Sequence, residues 1–350
     1  MHNILFQIFF LLYSVNCQLS MSRTEHLDKV NSLYSTLHTL WTDWEHTDLN
    51  EGIYTNENTT YDEAIKNVYE WWIKAGNITN GTRVLELGFG YGMLGYRVIE
   101  NGGIWTGINN NLDQVNYAKN KFGLNVFVGD WRDIPNDFIG RFDVVFTKGC
   151  LEHFIYHNEA IDNQSTRLYQ EMMTNLTSYL DPLSTNRRIV MSMMRHRKPV
   201  DPIIFTKKYN DFPKLSDAYY INIINSLWGR YYPNTLDEVL GHISNLNMNM
   251  IDYVDDTYDC YRTSIDWSKK INEDLYKMKF YINAFQSVKT LLERNDIIRK
   301  VITSYKTGVL QWQFTPKINI TDFTDTPIIN ARWVLRDRSL EIGCSESLKM

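Results

Sequence analysis

"VLELGFGYGMLGYRVIENGGIWTGINNNLDQ", residues 84–114, sets an apolar run directly before glycines at 88, 90, 92 and 95. Glycine is concentrated in this way where a backbone must turn sharply or pass close to another group. "TRVLELG" reads as a short buried strand, "MLGYRVIENG" has helical spacing, and "IWTGIN" reads as a second strand. A glycine turn between a strand and a helix can face a dinucleotide, a phosphate, another adenosine cofactor, or nothing.

The same alternation continues on both sides. "NLDQVNYAKNKFG" aligns Leu112, Val115, Ala118 and Phe122 on one helical face, and "NVFVGD", "FDVVFTKG" and "RIVMSM" predict three further strands. Strands alternating with helices at this spacing predict an α/β fold with a parallel sheet and helices on both faces. Upstream, residues 31–75 read as helical, with Ala64, Val68, Trp71 and Trp72 on one face and Gly76 as a stop. Beyond Met194 the pattern loosens into an irregular, proline-containing loop. A helix, "NTLDEVLGHISNL", and a strand, "MNMIDYVD", follow. A long helical stretch from Tyr261 to about Ile302 then precedes a last expected strand, "VLQWQFTP". The organisation expected is a segment 1–20, N-terminal helices over 21–80, a main domain over 81–318 with a helical cap at about 261–302, and an unassigned extension, 319–350.

Composition narrows the class. The chain has 350 residues, 43% of them hydrophobic and 22% charged, which is ordinary for a globular protein. A net charge of −5 gives no basic footprint, so nucleic acid is not an expected partner. Aromatic residues reach 14%, which suits either a bulky core or an apolar pocket whose ring faces stabilise passing cations. Cys17, Cys150, Cys260 and Cys344 are scattered without ligand spacing, so free thiols and no metal site are expected. Residues 4–15 are apolar but short for a bilayer span; 1–17 read as a signal or anchor, which would imply membrane association or the secretory pathway. Met21 is the alternative start, for a cytoplasmic product. The Asn-x-Ser/Thr sites at Asn58, Asn77, Asn80, Asn163, Asn175 and Asn319 are near the chance number for this composition and carry no argument.

Two motifs compete for the glycines. Gly90, Gly92 and Gly95 fit GxGxxG, but a dinucleotide site also needs an acid at the end of the second strand, where this chain has Asn109. Glu86, Gly88, Gly90 and Gly92 fit Glu-x-Gly-x-Gly-x-Gly, the first motif of S-adenosylmethionine methyltransferases, with Glu86 able to orient the loop or the cofactor ammonium. "VGDWRDIP" adds Asp130, where a carboxylate can accept from an adenine amino group, and Trp131, which can stack on the ring or belong to the core. The fourth strand then runs into "CLEHF".

Residues 82–155 resemble the cyclopropane-fatty-acid-synthase and mycolic acid methyltransferase family, and "GINNNLDQ" also resembles a stretch of sterol C24-methyltransferases. "DDTYDCYRTSIDWSKKI" and "KFYINAF" extend the resemblance to about residue 317. It implies a Rossmann-like class I fold, a doubly wound and mostly parallel seven-stranded sheet with N-terminal helices and a helical cap. It implies S-adenosylmethionine as cofactor, ribose contacts from Asn109 and Gln114, and an apolar lipid, fatty acyl or isoprenoid acceptor.

In the cyclopropane synthases a bound bicarbonate, held by Cys, Glu, His and Tyr, serves as base. Glu152 matches the glutamate of that set and Tyr281 the tyrosine. No cysteine stands upstream of the glycine loop, and His196 comes a few residues late for the histidine. Ring closure is therefore less well supported than methyl transfer. Glu152 could instead cap a helix, and His38, His46 and His157 read as isolated surface groups. Small-amine N-methylation and a non-catalytic, cofactor-binding regulatory role are the alternatives.

Overall fold

In a computed structural model, residues 22–41, 50–229, 231–276, 303, 306, 308–317 and 322–340 are described. Seven strands form one sheet: β1 (Arg83–Leu87), β2 (Ile104–Asn109), β3 (Val126–Val128), β4 (Val144–Lys148), β5 (Arg188–His196), β6 (Met248–Asp255) and β7 (Ile328–Asp337). Their order is β3-β2-β1-β4-β5-β7-β6. The first five run parallel, and β7 is antiparallel to both β5 and β6. The order reverses between β1 and β4, and at such a switch point the carboxyl ends of an open parallel sheet leave a crevice.

Alternate residues of the central strands feed two cores. Leu85, Leu87, Val145 and Met191 pack on one face with Leu168, Met172 and Leu176 of the helix Ser165–Ser178. Val84, Val144, Phe146 and Val190 pack on the other with α2 (Tyr61–Ala75) and α3 (Met93–Glu100) through Trp72, Leu94 and Val98. α2 starts at a capping box, in which the Glu63 amide donates to Thr60 Oγ1 and the Thr60 amide to Glu63 Oε2.

The doubly wound class I fold expected from the sequence is present, with changes at both ends. Among the described residues the N-terminal helical region is two helices, α1 (Arg23–Trp41) and α2, with irregular chain and a turn over 50–60 between them. "VLQWQFTP" is not a strand: Val309–Trp312 is a short helix entered through Gly308 at φ +64°. The closing strand is β7, so the sheet draws on the segment expected to be an extension. The cap begins as the helix Thr257–Tyr276, and residues 277–302 of the expected cap lie outside the described residues. His157 is buried against Phe205 rather than on the surface, and burial depresses its pKa to about 3. Cys150 and Cys260 are free and buried. Among the described residues no helix is long and apolar enough to cross a membrane. The segment 1–20, Cys17, His46, Asn319 and Cys344 lie outside the described residues.

Candidate active site

A pocket opens at the carboxyl ends of β1, β2, β4 and β5, where the switch point lies. Gly88, Gly90, Asn109, Gln114, Asp130, Trp131 and Glu152 all line it. The glycines divide their work. At Gly88, φ +68°, an added Cβ would lie 2.5 Å from the Cys150 Cβ, and at Gly92, φ +85°, it would lie 2.7 Å from Leu124. At Gly90, φ +59°, it would meet nothing within 4 Å, so this residue leaves a cradle on the pocket side. Gly92 does not line the pocket; it serves the packing of α3, whose N-cap it is.

Glu86 also lies outside the pocket. It is fully buried on the opposite side of the sheet from Leu85 and Leu87, and its Oε2 accepts from Trp105 Nε1 at 2.9 Å. Cβ atoms built at Gly95 and Gly107 would lie 2.5 and 2.1 Å from the Trp105 ring. Glu86 therefore braces the tryptophan that packs beneath the glycine loop.

At the end of β2, Asn109 Nδ2 donates to Gln114 Oε1 at 2.7 Å. Asn111 caps the next helix, its Oδ1 accepting the Gln114 amide at 3.0 Å. The polar pair is thus fixed before any ligand arrives, with a carboxamide where a dinucleotide site would carry an acid. Asp130 is already engaged: Arg23 of α1 pairs with it, and the Arg132 amide donates to the same Oδ1 at 3.1 Å. Trp131 is 5% exposed and stacked on Phe154 at 5.5 Å, so it lines the pocket as part of the core. Arg132 forks onto Glu159 at 2.7 and 2.9 Å and ties this corner to the short helix His157–Ile161.

The sequence gives no signal that α1 belongs to the site, yet it crosses the pocket. Val30 and Tyr34 line it, Tyr34 Oη and His153 Nε2 are 2.8 Å apart, and His26 Nε2 lies 3.0 Å from the His153 carbonyl. Asn111 Nδ2 donates to the Asn31 carbonyl and to Ser35 Oγ, each at 3.1 Å.

Glu152 sits in the turn Leu151–His153 directly after β4, 2% exposed, and its Oε1 accepts the Met194 amide at 2.7 Å. Met194 pairs in register with Asn330 of β7, so Glu152 and Asn330 flank one point of the sheet edge. Beyond it the walls include Met194, Ile224, Tyr232, Cys260, Trp267 and Phe314, with the polar side chains of Glu51, Thr263 and Ser264 among them. Polar atoms there are held by the protein: Tyr232 Oη donates to Gln313 Oε1 at 2.8 Å, and Asn330 Nδ2 to Cys260 Sγ at 2.9 Å. Cys150 lines the pocket too. Burial, with the Glu152 and Glu86 carboxylates nearby, pushes its thiol well above the ordinary range, and it donates to the Leu87 carbonyl at 3.2 Å. Tyr281 lies outside the described residues. His196 is buried at the end of β5 against Tyr232 and does not line the pocket. Of the ligands expected for a bicarbonate, the described residues bring only Glu152 to the site. Among them no cluster of metal-binding side chains occurs.

No protein-family model and no curated protein matches the chain. Solved structures do. A cyclopropane synthase from Mycobacterium tuberculosis superposes with a TM-score of 0.65 at 14% identity, over 89% of this chain and 98% of that one. A mycolic acid cyclopropane synthase complexed with SAH and CTAB gives 0.64 at 13%, over 89% and 98%. Coclaurine N-methyltransferase bound to N-methylheliamine and SAH gives 0.60 at 13%, over 96% and 92%. The chain has the Rossmann-like class I fold of S-adenosylmethionine-dependent methyltransferases.

Proposed function

We propose that the protein is an S-adenosylmethionine-dependent methyltransferase acting on carbon of an apolar lipid, fatty acyl or isoprenoid acceptor. The observation that carries this is one pocket with two unlike halves: a glycine cradle with fixed carboxamides, and an aromatic and aliphatic chamber with a buried carboxylate between them.

The residues present fit the cofactor. The open cradle at Gly90 admits close backbone approach, and Asn109 with Gln114 stands where ribose hydroxyls would be read. Asp130 keeps Oδ2 out of its two hydrogen bonds to Oδ1, which leaves an acceptor for an adenine amino group. When bound, the cofactor supplies an electrophilic methyl group on a sulfonium. The chain's own part is to position the acceptor in line and to exclude water. The rings of Tyr232, Phe314 and Trp267 stabilise positive charge on a methylated alkene. Glu152, oriented by the Met194 amide, takes the proton that such a cation must lose. No step is routed through bicarbonate: His196 does not line the pocket, and Tyr281 lies outside the described residues.

A second reading, N-methylation of a small amine, is favoured by the match to coclaurine N-methyltransferase over nearly the whole chain. Mass spectrometry separates the two. Incubation with methyl-labelled cofactor is expected to place label in the apolar fraction of a lipid extract, and Glu152→Gln to lower that turnover by roughly 10²–10⁴. Label confined to added amines, with Glu152→Gln fully active, would overturn the carbon-acceptor reading.

A further inference from the structure

The segment between β5 and the helix Asp217–Trp228, residues 197–216, has a surface that the pocket does not use. Ile203 and Leu215 are 56% and 73% exposed in it, although both are large aliphatic side chains. Leu215 is moreover held at φ +68°, in the left-handed region that leucine avoids, so the fold keeps an apolar side chain in water on a strained backbone. Lys198, Lys207, Lys208 and Lys214 are exposed in the same segment and form no ion pair with another described residue. The local aspartates are otherwise engaged. Asp201 and Asp211 each accept a backbone amide at 2.9 Å, from Ile203 and Lys208, and Asp217 pairs with Lys317 at 2.5 Å.

This cationic, apolar segment stands out on a chain whose net charge is −5. It is also seated on the acceptor half of the site. Tyr209 and Phe212 pack on the cluster of Met194, Ile224, Tyr232 and Phe314, four residues that line the pocket.

We propose that residues 197–216 dock the protein on an anionic lipid surface, with the aliphatic side chains in the interface and the lysines on the headgroups. That pairing of inserted apolar side chains with cations is what interfacial binding requires. The proposal rests on the apolar-acceptor reading for its purpose, since a lipid acceptor must reach the pocket from a lipid phase. Its test is independent of turnover.

Co-sedimentation of the full chain is measured with vesicles of phosphatidylcholine alone and with added phosphatidylglycerol. Binding is expected to the anionic vesicles, to fall with salt, and to weaken roughly fivefold for each lysine neutralised in Lys207→Gln and Lys208→Gln. Leu215→Asn removes the apolar side chain while tolerating the backbone, so it should bind less well yet unfold at no lower a temperature. Residues 4–15 are apolar as well, so the comparison between variants decides. Equal binding to both vesicle types, or variants that bind as the parent does, overturns the proposal. S-adenosylhomocysteine titrations of the same samples report separately on the cofactor site.

Discussion

A Cβ added at Gly90 would enter open pocket, whereas one at Gly88 would strike Cys150, although the two residues look alike in the sequence. The motif was legible because both need positive φ; which glycine faces the ligand was not, because that depends on Cys150, about sixty residues away in the chain. Glu86 shows the same limit. Its place in the motif was readable, but its partner Trp105 belongs to the next strand, and only the sheet pairing brings the two together. The buried histidines lead to a pH prediction. His196 and His157 are held neutral by burial, with pKa values depressed to about 4 and about 3 from an ordinary 6.5. A depressed histidine contributes stability that is present above 6.5 and is lost as pH falls from there toward the folded value. For His196 the loss is on the order of 3 kcal/mol. Thermal unfolding midpoints should therefore fall between pH 6.5 and 4, and His196→Phe should make that fall shallower. Equal slopes for the two proteins would show that His196 does not titrate on unfolding.

Among the elements, those with a simple apolar pattern were the legible ones. β1, β2, β4 and β5 are short apolar runs, and α2 has a continuous face. β7, "IINARWVLRD", falls in the unassigned extension, and its buried Asn330 and Arg332 are matched only by tertiary partners. Arg332 is 4% exposed, paired with Asp256 and set over the Trp71 ring at 4.3 Å. "VLQWQF" alternates like a strand, but Gly308 at positive φ starts a helix there instead. α1 has a weak apolar face, so nothing local marks it as a wall of the pocket. It is held across the pocket by Arg23 on Asp130 and Asp133, by the contacts of Tyr34 and His26 with His153, and by Asn111. Arg23→Ala should speed amide exchange across residues 26–35 by about 2–5-fold, the worth of a half-exposed ion pair, and leave β1 and β4 unchanged. Unaltered exchange in α1 would mean that the other contacts suffice.

In the whole molecule, the fold sets a switch-point pocket with two kinds of lining at the carboxyl ends of its strands. The sheet's first five parallel strands place Gly90, Asn109, Asp130 and Glu152 at one edge, and the antiparallel β7 brings Asn330 beside them. Fold class and the glycine turn after β1 were readable because they rest on local patterns. The pocket's far wall was not, since Tyr232, Gln313 and Asn330 come from distant segments with no shared motif. The central claim is that this pocket takes S-adenosylmethionine and not a dinucleotide. Calorimetric titration of the full chain with S-adenosylhomocysteine and with NAD tests it most directly, with Gly90→Ala as the paired variant. Saturable binding of S-adenosylhomocysteine, abolished or strongly weakened in Gly90→Ala, and no heat from NAD is the result predicted. Tight NAD binding with none for S-adenosylhomocysteine would contradict the account.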